Sequence, residues 1–178
     1  GAVRCVWLGS GARLDGFTVT NGFTLASGSS EKQGGGLWAE GSGAIVTNCL
    51  IAGCAASGSG GGAYGGTLYN CVLIGNAAAR GGGVSGADLS GCVITNNRAG
   101  SGGGAESCAL TDCLVSRNSA TNSDGGGVYG GTLTGCRLAE NTAWNAGGGA
   151  YEAGLSDCVL WSNRVLTGSS GEGGGAYG

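Results

Sequence analysis

A glycine triplet that returns at a set distance ahead of a cysteine limits this chain more than any other feature. Triplets begin at Gly34, Gly60, Gly81, Gly102, Gly125, Gly147 and Gly173, with spacings of 26, 21, 21, 23, 22 and 26 residues. Five are followed after 11 residues by a cysteine, at Cys71, Cys92, Cys113, Cys136 and Cys158; in the first unit Cys49 follows after 15. An apolar residue stands three before each cysteine, at Val46, Leu68, Leu89, Leu110, Leu133 and Leu155. Another stands two after it, at Ile51, Leu73, Ile94, Val115, Leu138 and Leu160. An asparagine stands five after it, at Asn76, Asn97, Asn118, Asn141 and Asn163, and Cys54 fills that place in the first unit. The unit reads GGGxYxxxLxxCxLxxNxA.

A unit of 21 to 26 residues is too short to enclose its own core, so it must stack on copies of itself. The Cys-x-Leu pair alternates as a strand does. Gly and Asn punctuate it as turns do. No stretch sustains the apolar spacing of an amphipathic helix. The expected fold is all-β, a single-stranded parallel β-helix of about seven or eight coils of 21 to 26 residues. The general crossover preference makes it right-handed. A leucine-rich repeat competes, since LxxCxLxxN resembles LxxLxLxxN. That fold needs a second apolar set on its convex side, where this unit has Gly, Ala, Ser and Asn.

Residues 34–178 form the regular array of one domain, and residues 1–33 form irregular first coils. GSGARLDGF (Gly9 to Phe17) aligns without gaps on GSGAIVTNC (Gly41 to Cys49). That alignment puts Phe17 in the cysteine column, Leu14 and Val19 in the apolar columns, and Asn21 and Gly22 near the asparagine column. Gly22 to Gln33 is then a polar insertion.

Inside such a coil each residue type acquires a role. The Leu and Cys columns stack on their equivalents about 4.8 Å above and below. The asparagines can form an amide ladder between coils. An aromatic column follows the triplets at Trp38, Tyr64, Tyr129, Tyr151 and Tyr177, interrupted by Ser85 and Glu106. If it faces solvent, it is the best candidate for a binding or stacking surface, with a glycan as the ligand class.

Composition excludes several alternatives. The chain has 178 residues, of which 44 are Gly and none are Pro, His or Met. Collagen is excluded because glycine does not recur every third residue. Disorder is excluded because 41% of residues are hydrophobic and only 11% charged. The net charge of −3, without a basic patch, gives nucleic-acid binding no support. No apolar run approaches a membrane span. Without His there is no His-based triad and no His metal site. The triplets lack the Lys and Ser/Thr of phosphate loops, so no cofactor is expected.

Asp112 and Asp157 share the place before the cysteine, roughly 9 to 10 Å apart along the stack. That would suit an inverting pair of carboxylates, but a solvated outward face is the preferred reading, and the chain is expected not to be an enzyme. For the cysteine column the preferred reading is a small buried hydrophobe. Disulfides through the off-column Cys54 or Cys108 are the next alternative, and a metal or redox chain along the ladder the third. No CxxC pair points to a metal.

The order LxxN, Ala, glycine cluster, as in NRAGSGGGA (Asn97 to Ala105) and GNAAARGGGV (Gly75 to Val84), resembles the FxxN and GGA[ILV] repeats of chlamydial polymorphic outer-membrane proteins. It is also similar to the glycine-rich repeats of bacterial right-handed β-helix surface proteins. The resemblance covers nearly the whole chain and implies a secreted or cell-surface passenger with a structural or adhesive role. This sequence departs from it with an aliphatic residue in place of Phe, a third Gly and the cysteine column.

The two ends suggest a further contact. Read end to start, GGGAYG-GAVRCVW parallels GGGAYGGTLYNCVL (Gly60 to Leu73) with one residue missing. The expected assembly is therefore either a longer β-helix or copies stacking head to tail into an extracellular filament.

Overall fold

The computed structural model describes residues 3–24, 31–166 and 172–178. Part of the polar insertion, residues 25–30, lies outside the described residues, as do Gly1 and Ala2. Every pairing between the described strands is parallel, and each joins one repeat unit to the next. No helix occurs among the described residues. Neighbouring units pair in a single register: Leu68, Leu89, Leu110, Leu133 and Leu155 are direct partners in succession. The chain is a parallel β-solenoid, and the leucine-rich-repeat alternative falls, because all strand positions of the unit stack into sheets and none forms a convex layer.

A full coil holds four short strand positions. The unit around Cys92 shows them as Val84–Ser85, Asp88–Ser90, Val93–Thr95 and Arg98–Ser101. The first two positions belong to one 13-stranded sheet, because in two coils they run together as single strands, Ala105–Thr111 and Val128–Thr134. The third position stacks into a 7-stranded sheet and the fourth into a 5-stranded one.

Alternation within each strand fills the interior. The Leu column and the column two after the cysteines are buried from Val46 and Ile51 through Leu133 and Leu138. Two further inward columns complete the core. One lies just after the triplets: Leu37, Ala63, Val84, Ala105, Val128 and Ala150. The other is alanine two after the asparagine: Ala99, Ala120 and Ala143. Leu155, expected in the core ladder, is 37% exposed and Cys158 only half-buried. Their coil pairs on one side only among the described strands, Gly154–Ser156 with Thr132–Thr134.

Corners are made by residues in the left-handed region. In the corner before the cysteine column, Gly16, Asn48, Asn70, Gly91, Asp112, Gly135 and Asp157 have φ between 51° and 75°. Glycine takes that region freely, and Asn and Asp are the other types that favour it. The triplet serves three purposes, seen at Gly102–Gly104. Gly102 turns the chain at φ +58°. A Cβ on Gly103 would lie 2.5 Å from the backbone carbon of Ser119. One on Gly104 would lie 2.9 Å from Asn118 Nδ2. The coil is flattened against itself here, and no larger residue fits.

Candidate functional site

The features that carry chemistry in the sequence become three columns along the solenoid: asparagine, cysteine and aromatic. The asparagines stand inside the wall, and Asn76, Asn97, Asn118 and Asn141 are at most 1% exposed. Each repeats one bonding scheme. Asn118 Nδ2 donates to Ile94 O at 2.9 Å and to Asn141 Oδ1 at 3.0 Å. Its Oδ1 accepts from the backbone N–H of Asn97 at 2.9 Å and from Asn97 Nδ2 at 3.1 Å. Asn163 ends the ladder, its Oδ1 receiving Asn141 N–H at 3.0 Å. The amide thus supplies bonds that the turning backbone cannot make for itself. At the other end Cys54 N–H donates to Asn76 Oδ1 at 2.9 Å, so Cys54 does stand in the asparagine column. Below it comes Gly22, whose O accepts from Ala55 N. Asn21 is the left-handed corner residue, at φ 60°, and not a ladder member.

The column cysteines pack in the hydrophobic core as free thiols, as the buried-filler reading expects, and they add hydrogen bonds to that packing. Cys49, Cys71, Cys92, Cys113 and Cys136 are buried. Each thiol donates to a carbonyl two residues back, as Cys113 Sγ does to Thr111 O at 3.2 Å. The sulfurs also accept. Cys71 N–H lies 3.3 Å from Cys92 Sγ, and Cys113 N–H 3.4 Å from Cys136 Sγ. Phe17 holds the cysteine place in the first coil, and its N–H reaches Cys49 Sγ at 3.4 Å. The thiol is here a smaller counterpart of the asparagine amide: it fits a tight corner and takes part in bonding on both sides.

No disulfide forms among the described cysteines. Cys54 and Cys108, each expected as a possible disulfide former, are both buried free thiols. Cys54 Sγ contacts Ala52 O at 3.4 Å, and Cys108 Sγ contacts Glu106 O at 3.2 Å. Burial pushes the Cys108 thiol up to about 12 and raises Cys49 and Cys54 above their ordinary value. Hydrogen bonding with Cys113, together with burial, raises both Cys92 and Cys136.

The aromatic column lies on the outer side of the first strand position, and it gains Trp7, which pairs with Trp38 and was not placed there by the sequence. Tyr129 and Tyr151 stack at 5.2 Å between ring centroids, and Tyr151 and Tyr177 at 5.7 Å. Tyr64 is half-buried beside Trp38 in the next coil. Rings stacked on one another offer edges, not faces, to a ligand. In the interruption, Glu106 is buried and accepts from Ser85 Oγ at 3.1 Å, with Arg80 3.8 Å away. Burial raises its pKa above the ordinary carboxyl value.

Asp112 and Asp157 stand at equivalent corners with Gly135 between them. Both are exposed, as the solvated-face reading expects. An open cleft of about 540 Å³ lies beside Gly135, lined by Asp112, Cys113, Leu114, Gly135, Arg137 and Trp161. Nothing in the repeat pattern announced it. Gly135 and Arg137 stand there between Asp112 and Asp157, and between Leu114 and Val159, of the neighbouring units.

A family model described as "right handed beta helix region" matches residues 5–143. The chain belongs to the right-handed β-helix family. The match settles the hand that the crossover preference predicted. No curated protein and no solved structure matches the chain. A right-handed β-helix whose asparagines, thiols and glycines all serve coil-to-coil bonding devotes its polar chemistry to its own stacking.

Proposed function

We propose that this right-handed β-helix is a structural rod on the outside of a bacterial cell, without enzymatic activity, whose two open ends are covered by further parallel coils. One observation carries this reading. Of the twelve exposed large hydrophobic residues among the described ones, nine lie on the terminal coils: Val3, Trp7, Phe17 and Phe23 at one end and Leu155, Val159, Trp161, Leu166 and Tyr177 at the other. Apolar end surfaces beside unpaired strand edges are templates for another coil. Charge supports the match. Residues 3–24 carry Arg4, Arg13 and Asp15, two positive and one negative, net +1; residues 150–178 carry Arg164 against Glu152, Asp157 and Glu172, net −2.

The covering coil comes from a longer chain or from a second copy stacked head to tail. The splice expected from sequence does not describe that contact. It puts Cys5 in the cysteine column, whereas Val6–Leu8 pairs with Leu37–Ala39 and so sets Cys5 beside Gly36. Ala176–Tyr177 occupies the same strand position at the far end, on Ala150–Tyr151. In a continuous stack Val6–Leu8 of a second copy competes with Ala176–Tyr177 for one edge.

The test is sedimentation and electron microscopy of the chain with and without residues 172–178. Head-to-tail stacking predicts rods that lengthen with concentration, more so in the shortened chain. Rods that stay short in both, but lengthen when fused to further coils, assign the cover to a longer chain. Cleavage of a polysaccharide, or capture of a glycan by the side of an isolated rod, would replace the structural reading with an enzymatic or adhesive one.

A further inference from the structure

The structural role uses the inside of the coils and their ends, and it leaves the cleft beside Gly135 without a task. The cleft lies on the outer side of the 7-stranded sheet. One outward column of that sheet runs Leu50, Val72, Val93, Leu114, Arg137, Val159 in direct register. Its members are aliphatic except for Arg137. In the second outward column Trp161 follows Ser116 and Ala139. Its indole is 43% exposed. At the adjoining corner Asp112 is followed one coil on by Gly135, which brings no side chain into the space. Among the described residues the ion pairs are Arg13–Asp15, Arg80–Glu106 and Arg117–Glu140. Asp112 and Arg137 belong to none of them, and neither side chain has a hydrogen bond to another described residue.

Two unpaired charges of opposite sign decide what the cleft can hold. A simple anion gains from Arg137 and is repelled by Asp112, and for a simple cation the reverse holds. A neutral apolar body would strip water from both charges and give nothing back. A molecule with a positive end, a negative end and an apolar body meets every part of the lining. Register gives the span. Leu114 and Arg137 are partners about 4.8 Å apart, and Asp112 stands two residues before Leu114. That separation exceeds the single carbon between the ammonium and carboxylate of a free amino acid. The two termini of a dipeptide are held one peptide unit apart. The cleft volume of about 540 Å³ falls within the range of small-ligand sites, about 300–1,000 Å³.

We propose that the cleft binds a short peptide with free termini and large apolar side chains, a dipeptide at the smallest. The Arg137 guanidinium takes the terminal carboxylate through its paired N–H donors. The Asp112 carboxylate accepts from the terminal ammonium. An apolar side chain lies between the Trp161 ring and Leu114. Binding is non-covalent and adds a recognition role to the flank of the rod, whatever covers its ends.

The isotope-labelled full chain is titrated with phenylalanyl-leucine while the indole N–H signals of its four tryptophans are followed by NMR. Trp161→Phe identifies the signal of interest. The expected result is a Trp161 shift that saturates at millimolar peptide or below, with Trp7, Trp38 and Trp144 unmoved. Acetylating the amino end or amidating the carboxyl end each weakens binding about tenfold, the loss of one charge-assisted bond. Arg137→Val, which sets the residue of Val93 and Val159 in the same column, weakens it by the same factor. So does Asp112→Asn, at a corner where Asn48 and Asn70 already stand. Arg98→Ala, on another sheet, leaves binding unchanged. The amide spectrum shows that each variant is folded. No saturating shift in folded protein, equal binding of a peptide blocked at both ends, or binding kept when Asp112 and Arg137 are both replaced would overturn the assignment. A neutral oligosaccharide that saturates the Trp161 shift where the peptide does not would also overturn it.

Discussion

Replacing Asn118 by Ala removes four hydrogen bonds at once. Lost are the donations to Ile94 O and Asn141 Oδ1 and the two bonds received from Asn97. Each is worth about 1 kcal/mol net. The backbone N–H of Asn97, buried behind the coil, is then left without its acceptor, a further cost of about 1–3 kcal/mol. The sum is about 5–7 kcal/mol, lowered toward about 4 if water enters the space. Asn163→Ala also loses its bonds to Leu138 O and to Asn141. It lies on the half-buried last coil, where solvent replaces them, so the cost should be about 1–2 kcal/mol. Urea unfolding measures both, with coincidence of two spectroscopic probes checking that each variant unfolds in one step. Equal losses for the two variants, or less than about 1 kcal/mol for Asn118→Ala, would refute the ladder as the source of stability.

Four further outcomes follow from the geometry. Gly103→Ala, whose Cβ would meet the backbone of Ser119 at 2.5 Å, should cost about 3 kcal/mol or more. Gly75→Asn, at φ +65° with nothing within 4 Å, should stay within about 1 kcal/mol in the same urea assay. Leu138→Ala, fully buried, should cost about 2–5 kcal/mol, and Leu155→Ala, 37% exposed, under about 1 kcal/mol by thermal unfolding. Glu106 holds its proton more tightly in the folded chain than in the unfolded one. Its contribution therefore favours the fold at low pH and is lost as pH rises from the ordinary carboxyl value through the raised one. Glu106→Gln should remove that part of the pH dependence and raise stability at neutral pH; a variant less stable there would show that the Arg80 contact outweighs burial.

The repeat was legible because stacking makes one physical demand at each position of every coil. A column of Leu before Cys and another after it can only face inward, and the triplets can only mark tight passages. The third inward column was harder to see. It alternates among Leu37, Ala63, Val84, Ala105, Val128 and Ala150, and the Ala members looked like part of the small-residue background. The burial of the cysteine column was legible; its hydrogen bonds were not, because they depend on which carbonyls and N–H groups the corner presents, and spacing does not encode that. The end-to-start splice failed for a related reason. Cys5 fits the cysteine motif by its neighbours, yet Trp7 pairs with Trp38 and draws the segment into the first sheet instead. The cleft was invisible because the repeat pattern does not specify the residues beside each cysteine, here Gly135 and Arg137.

Residue-resolved amide hydrogen exchange would test most directly whether side-chain ladders lock the coils together. The account predicts that the N–H groups of Asn76, Asn97 and Asn118, which donate to the asparagine of the next coil, exchange as slowly as core strand amides. Slowing should fade toward Asn141 and the last coil. Fast exchange at these amides, while the strands on either side stay protected, would contradict it.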